Sequence, residues 1–268
     1  MQIFTKRIFF FIYLSALVLS LSACSLEDKV TAADPPGNVL RIDVDYEFGA
    51  FNPTCVDCSG ATYVFPFIYS FLCVPNPEGE LEPDLAVSWD YDPKTFIWQI
   101  QLRQDARFHN GALVTAADAA YSIKSFVDNT RKTLDQNIES ISAMTEYMLE
   151  IRLNQDDPLF LNVIWDMEII PDLRRYADLD LDSSPVGSGP FKFQSRADDG
   201  RIILAANENY YKGRPAIDEV IFYHIPRREK SWTRLIAGDT DIVGNLTVKN
   251  YEIITSVCRP FLFREILL

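Results

Sequence analysis

The sequence predicts a mixed α/β fold. Three observations carry that expectation. Strand-type and helix-type periodicities alternate along the chain, apolar residues make up 48% of its 268 residues, and no repeat or low-complexity segment interrupts them. That apolar content is enough to bury a core. Strands interleaved with helices argue for α/β or α+β rather than a bundle or a sandwich.

Residues 1–23 read as a lipoprotein signal peptide rather than as part of the fold. Lys6 and Arg7 precede an apolar run from Ile8 to Leu21. The run is shorter than the ~20 residues a membrane-spanning helix needs and fits a secretory h-region. It ends Leu21-Ser22-Ala23-Cys24, which resembles the bacterial lipobox, with cleavage before Cys24 and diacylglycerol on its thiol. Several acyl chains on one cysteine hold a protein firmly on a membrane. The expected location is therefore outside the cytoplasm, lipid-anchored on the periplasmic or cell-surface side. Residues 24–38, polar and carrying Pro35, Pro36 and Gly37, read as a flexible tether. The folded part is expected over 39–268.

Val39–Asp45 alternates Leu40, Ile42 and Val44 against polar neighbours, a half-buried strand. An aromatic-rich loop follows. Ala61–Leu72 reads as helical despite Pro66, and Gly79–Trp89 as turns with a short return. Thr95–Leu102 is a strand with Phe96, Trp98, Ile100 and Leu102 on one face. Asn110-Gly111 is a turn. Thr115 opens a helix, with Asp118 as its capping-box partner and Ile123, Phe126 and Val127 at helical spacing. Met148–Leu153 is a strand and Pro158–Trp165 a short helix. Gly187-Ser-Gly-Pro190 is a turn. A hairpin follows, built from Phe191–Gln194 and Arg201–Ala206 around Asp198-Asp199-Gly200. Val220–Ile225 is apolar on both faces, a central strand. Arg227–Ala237 is helical and ends at Gly238.

The net charge is −13, which lacks the basic footprint of a nucleic-acid binder. Setting Cys24 aside leaves Cys55, Cys58, Cys73 and Cys258, an even number suited to an oxidising compartment, with three pairings open. Cys55-Val-Asp-Cys58 is a C-x-x-C that admits a disulfide, half a zinc site or a redox pair. No second C-x-x-C and no histidine at ligand spacing accompany it. Its neighbours Asn52-Pro53-Thr54 and Ser59-Gly60 place it on a loop, which favours a structural disulfide or idle thiols over metal or redox chemistry.

Catalytic patterns are missing. His109 and His224 are the sole imidazoles, far apart in sequence, and His224 lies in a strand pattern. Gly187-Ser188-Gly189 lacks the spacing of a nucleophile elbow. Neither a zinc-protease helix nor a phosphate-binding loop is present. The stretch Ala106–Phe126, busy with His109, Thr115, Asp118, Tyr121 and Ser122, is read as scaffold. No enzyme activity and no cofactor are expected.

Four blocks in order resemble the family 5 extracellular solute-binding proteins of ABC importers. The first is Pro83, Leu85, Ala86, Trp89, Leu102, Arg103, Phe108, Gly111, Thr115, Ala116, Asp118, Tyr121 and Ser122; Ala119 departs from the usual Val. The others are Gly187-Ser-Gly-Pro-Phe191, the segment from Asn207 through Tyr210, Tyr211, Gly213 and Pro215 to Asp218, and Leu235-Ile-Ala-Gly-Asp-Thr-Asp241. The resemblance implies a lobe of the type II periplasmic-binding-protein fold with a side subdomain, spanning about Val39 to Val243. It implies a monomer that captures a peptide or similar small solute and delivers it to ABC permease subunits in the membrane. Such proteins enclose ligand between two lobes. The resemblance covers the first lobe, so the chain is expected to be a truncated copy or fragment lacking the C-terminal lobe. Ligand contacts in this half are expected on the loop after the first strand, at Tyr46, Phe48, Phe51 and Asn52. Two other readings are a membrane-anchored interaction or sensory module without transport, and a redox or zinc lipoprotein using Cys55 and Cys58.

Overall fold

A computed structural model describes residues 38–55, 58–130 and 133–244. The signal segment, Cys24, the tether up to residue 37 and residues 245–268, including Cys258, lie outside them. The strands are β1 (Val39–Val44), β2 (Cys73–Pro75), β3 (Leu81–Pro83), β4 (Ala86–Asp92), β5 (Ile97–Leu102), β6 (Ile138–Thr145), β7 (Met148–Leu153), β8 (Phe191–Arg196), β9 (Ile202–Ala206), β10 (Glu219–His224) and β11 (Ile242–Val243). The helices are α1 (Phe65–Ile68), α2 (Ala116–Asn129), α3 (Leu161–Ile164) and α4 (Arg228–Ala237).

Five strands form a mixed sheet in the order β11-β1-β10-β9-β8. β1 runs parallel to both its neighbours, with Leu40 opposite Val220, Ile42 opposite Phe222 and Asp43 opposite Val243. Leu40, Ile42 and Val44 enter one core with Leu204, Val220 and Phe222, as their alternation requires. β10 is central and apolar, and β8–β9 is the expected hairpin.

A separate antiparallel sheet, β4-β5-β7-β6, carries the second core. Trp98 faces Ile151 and Ile100 faces Leu149 across β5 and β7. α2 lays Ala119, Ile123, Phe126 and Val127 against this sheet. Burying a side chain the size of Ile123, Phe126 or Val127 contributes about 1.5–3 kcal/mol. The helix starts where the sequence places it, with the capping box present. The Asp118 carboxylate accepts the Thr115 N–H at 2.9 Å and the Thr115 hydroxyl at 2.6 Å. Its other oxygen accepts the Asp172 N–H at 2.9 Å, so the cap also fixes the exit from this subdomain. Val186 packs against both cores.

The structure corrects three expectations. Ala61–Leu72 is not one helix: a 3-10 turn at Ala61–Tyr63 leads into the four-residue α1, and Tyr69 is extended. Pro66 is tolerated in the first turn, but the Ile68 carbonyl accepts the Gly189 N–H at 2.8 Å, a tertiary bond where a longer helix would have its own. The strand expected from Thr95 begins at Ile97, because Phe96 closes the preceding turn with φ 57° and donates its N–H to the Asp92 carbonyl at 2.8 Å. β4, seen in sequence as turns and a short return, is a seven-residue strand.

Candidate functional site

The chain leaves β1 at its carboxyl end, between two parallel neighbours. That is where open α/β sheets leave room for ligands. Two ion pairs tie this strand end to α4: Asp43 to Arg234 at 3.0 Å and Asp45 to Arg228 at 3.1 Å. The loop from Tyr46 to Gly60 is held at many points. Gly49 N–H donates to the Ser59 carbonyl (2.9 Å) and Phe51 N–H to the Asp182 carbonyl (3.1 Å). The Tyr69 hydroxyl donates to the Phe51 carbonyl at 2.9 Å, and Arg196 donates to the Phe48 carbonyl at 3.1 Å. Gly60 has φ +72°, and a Cβ there would stand 2.4 Å from the Glu47 carbonyl oxygen, so this crossing requires glycine.

The four expected contact residues divide. Tyr46 is 52% exposed, whereas Phe48 is 3% and Phe51 1% exposed. Phe48 meets the edge of Phe222 with ring centroids 6.4 Å apart, and Phe51 lies against Phe193 at 5.4 Å. Both rings are committed to packing, which leaves them no surface for a solute. Asn52 is half-buried, and its side-chain oxygen accepts the Thr54 N–H and hydroxyl at 3.1 and 2.9 Å. Its amide oxygen therefore shapes the loop. Beside the loop opens a cavity of about 500 Å³, bounded also by the end of α2 and by Asp166 and Glu168. Of its lining, the sequence singled out Cys55, Cys58 and Phe126 for other reasons, while Thr130, Asp166 and Glu168 come from distant segments.

Cys55 and Cys58 are paired as a disulfide on this loop, with Cα atoms 6.0 Å apart. Cys73 is a free, buried thiol, pushed up to about 12 by burial and then by the nearby Asp84 carboxylate. Among the described residues, no group of three or more His, Cys, Asp or Glu side chains could hold a metal ion. No helix among them is long and apolar enough to cross a membrane.

The busy stretch around His109 is fully occupied by structural contacts. The His109 Nδ1 accepts the Gly187 N–H at 3.3 Å, and Nε2 faces the Gly189 carbonyl at 3.1 Å. Those partners define a neutral ring with its proton on Nε2. Burial pushes its pKa down to about 4. Asn207 donates to the same Gly189 carbonyl at 3.0 Å. Ser122 donates to the Asp118 carbonyl at 2.7 Å and accepts the Ile170 N–H at 2.9 Å. His109, Thr115, Asp118 and Ser122 are thus each engaged by backbone or by the helix cap.

A family model for bacterial extracellular solute-binding proteins, family 5 Middle, matches residues 80–256, more than half of the chain. The chain is 26% identical to the oligopeptide-binding protein AppA of Bacillus subtilis over 273 residues, covering 94% of this chain and 50% of that protein. It is 26% identical to the nickel-binding periplasmic protein of Escherichia coli over 188 residues, covering 66% of this chain and 36% of that one. The solved structure of the Bacillus subtilis AppA with a nonapeptide superposes with a TM-score of 0.72 at 23% identity, over 84% of this chain and 47% of that one. The chain thus spans about half the length, or less, of the relatives it matches, and its fold is that of a periplasmic-binding-protein lobe. These relatives are binding proteins rather than enzymes, and the chain belongs to the family 5 bacterial extracellular solute-binding proteins.

Proposed function

We propose that this chain captures peptides or similar small solutes outside the cytoplasmic membrane for delivery to an ABC permease, anchored by lipid on Cys24. The observation that carries this reading is the loop at the carboxyl end of β1, tied by hydrogen bonds to its backbone at Phe48, Gly49 and Phe51. It presents Tyr46 to solvent while Phe48 and Phe51 are locked in the core. An extended peptide is recognised by main-chain hydrogen bonds, for which a fixed backbone loses little entropy. Peptide binding in AppA is consistent with this, and the nickel-binding relative shows that the same family carries other cargo.

The test is a thermal-melt screen of the full chain against di- to pentapeptides, with sugars as the comparison set. A peptide at a hundred times its Kd stabilises by about 2.7 kcal/mol. A flat melting temperature across all peptides sinks capture by this chain. The anchor is tested separately: Cys24→Ser moves the expressed protein from the membrane fraction to the soluble fraction.

A further inference from the structure

The segment that the loop after β1 presents to solvent is short: Tyr46 and Glu47 are exposed, and Phe48 is already buried. An arginine stands at each end of it. On one side Arg228 of α4 donates from Nε and Nη2 to one Asp45 carboxylate oxygen, at 3.2 and 3.1 Å. On the other, Arg196 at the end of β8 donates to the Phe48 carbonyl at 3.1 Å. The reach of Arg196 depends on a break in strand register. Phe193 lies opposite Leu204 and Arg196 opposite Ile202, with the register shifting between Phe193 and Ser195. Without that shift Ser195 would stand opposite Ile202, and Arg196 would turn to the other face of the sheet. Ile202 and Leu204 face the core into which Phe48 packs, so the bulge aims the guanidinium at the loop. The far half of the loop has anchors of its own, the Tyr69 hydroxyl and the Asp182 carbonyl, both at Phe51. Neither reaches Tyr46.

We propose that Arg196 and Arg228 are positioning residues for solute capture: one from each side, they hold Tyr46–Glu47 in a single conformation, so that a solute binds the segment without having to order it. This deepens the solute-capture reading and rests on it in taking the loop after β1 as solute-facing. Hydrogen bonds from a guanidinium are strong and directional, which suits a brace. A loop fixed before binding loses little conformational entropy on binding. Arg196 is exposed, so its part separates from folding, whereas the Tyr69 anchor is buried and does not.

The experiment compares the full chain with Arg196→Met, Arg228→Met and Arg196→Lys. Hydrogen exchange is followed over residues 45–50, with β7 as internal reference, and alanine peptides of two to five residues are titrated calorimetrically at matched folded concentration. Both Met variants are expected to speed exchange over 45–50 about tenfold with β7 unchanged, and to weaken the best-bound alanine peptide several-fold. Arg196→Lys keeps a donor for the Phe48 carbonyl and is expected to recover most of both effects, which loss of stability alone would not give. If Arg228→Met fails to fold, the two Arg196 variants decide. Exchange over 45–50 that stays at the parent rate in Arg196→Met overturns the proposal. So does peptide affinity that holds while exchange rises, and that result leaves peptide capture standing. A parent chain that binds none of the alanine peptides overturns the proposal through the reading it rests on, whatever the exchange shows.

Discussion

Lys212 places its ammonium 2.6 Å from the buried carboxylate of Asp84. The two residues come from sequence blocks more than a hundred positions apart. Asp84 also accepts the Tyr211 hydroxyl at 2.7 Å and the Phe71 N–H at 3.0 Å, and Arg103 lies over the Tyr211 ring at 4.1 Å. One carboxylate thus gathers β3–β4, the entry to β2 and the segment after β9. Asp84→Ala leaves a buried N–H and hydroxyl unanswered, an expected loss of about 2–4 kcal/mol by urea unfolding. Lys212→Met, whose ammonium is half exposed, is expected to cost less than 1 kcal/mol. Equal losses in the two variants would contradict this division.

His109 gives the protein an acid-sensitive tie. Its folded pKa of about 4 lies below the ordinary 6.5, so protons bind the unfolded chain first. The neutral ring's contribution is complete above pH 6.5 and is lost as pH falls towards 4, up to about 3 kcal/mol. Gln at 109 offers one donor and one acceptor to the same glycines. His109→Gln is expected to fold with a similar melting temperature at pH 7.5 and to show a shallower stability loss between pH 6.5 and 4. An unchanged acid limb in the variant would remove His109 as its cause.

Gly187 is a steric requirement. A Cβ there would lie 2.0 Å from the Ile68 carbonyl oxygen, which is backbone and cannot step aside. Gly187→Ala is expected to cost about 3 kcal/mol and to disturb the His109 clamp with it. A denaturant midpoint within error of the parent would show that the turn relaxes freely.

Tyr46 and Phe51 separate binding from folding. Phe51→Ala empties a core position and is expected to destabilise by about 3–5 kcal/mol. Tyr46→Ala is expected to leave stability within about 0.5 kcal/mol while weakening peptide binding several-fold. Titration at matched folded concentration reads the difference.

The legible parts of this fold are those with an unbroken period. β1, β7 and α2 keep alternation or helical spacing, and the structure finds both strands within a residue of expectation and the start of α2 at the expected cap, Thr115. β4 and β6 were hidden because register shifts at Ala86/Ser88, Ile138/Ser140 and Ala143/Thr145 change which residues face inward. In β6 only Ile138 and Ile141 turn toward the core. The same limit applies to the site. Loop aromatics signalled an important segment, but Phe48 and Phe51 differ from Tyr46 only through tertiary packing. The far wall of the cavity has no local pattern, since Thr130, Asp166 and Glu168 come together with the loop only through tertiary packing.

The pairing of β1 has a consequence for the order of folding. The β4-β5-β7-β6 sheet closes through neighbours near in sequence, so it can form early. β1 must wait for β10 and β11, whose residues follow it by 180 to 200 positions. Contacts of such separation are slow to form. The N-terminal strand of the sheet is therefore the last to be locked, and β1 stays unpaired until both β10 and β11 have been made.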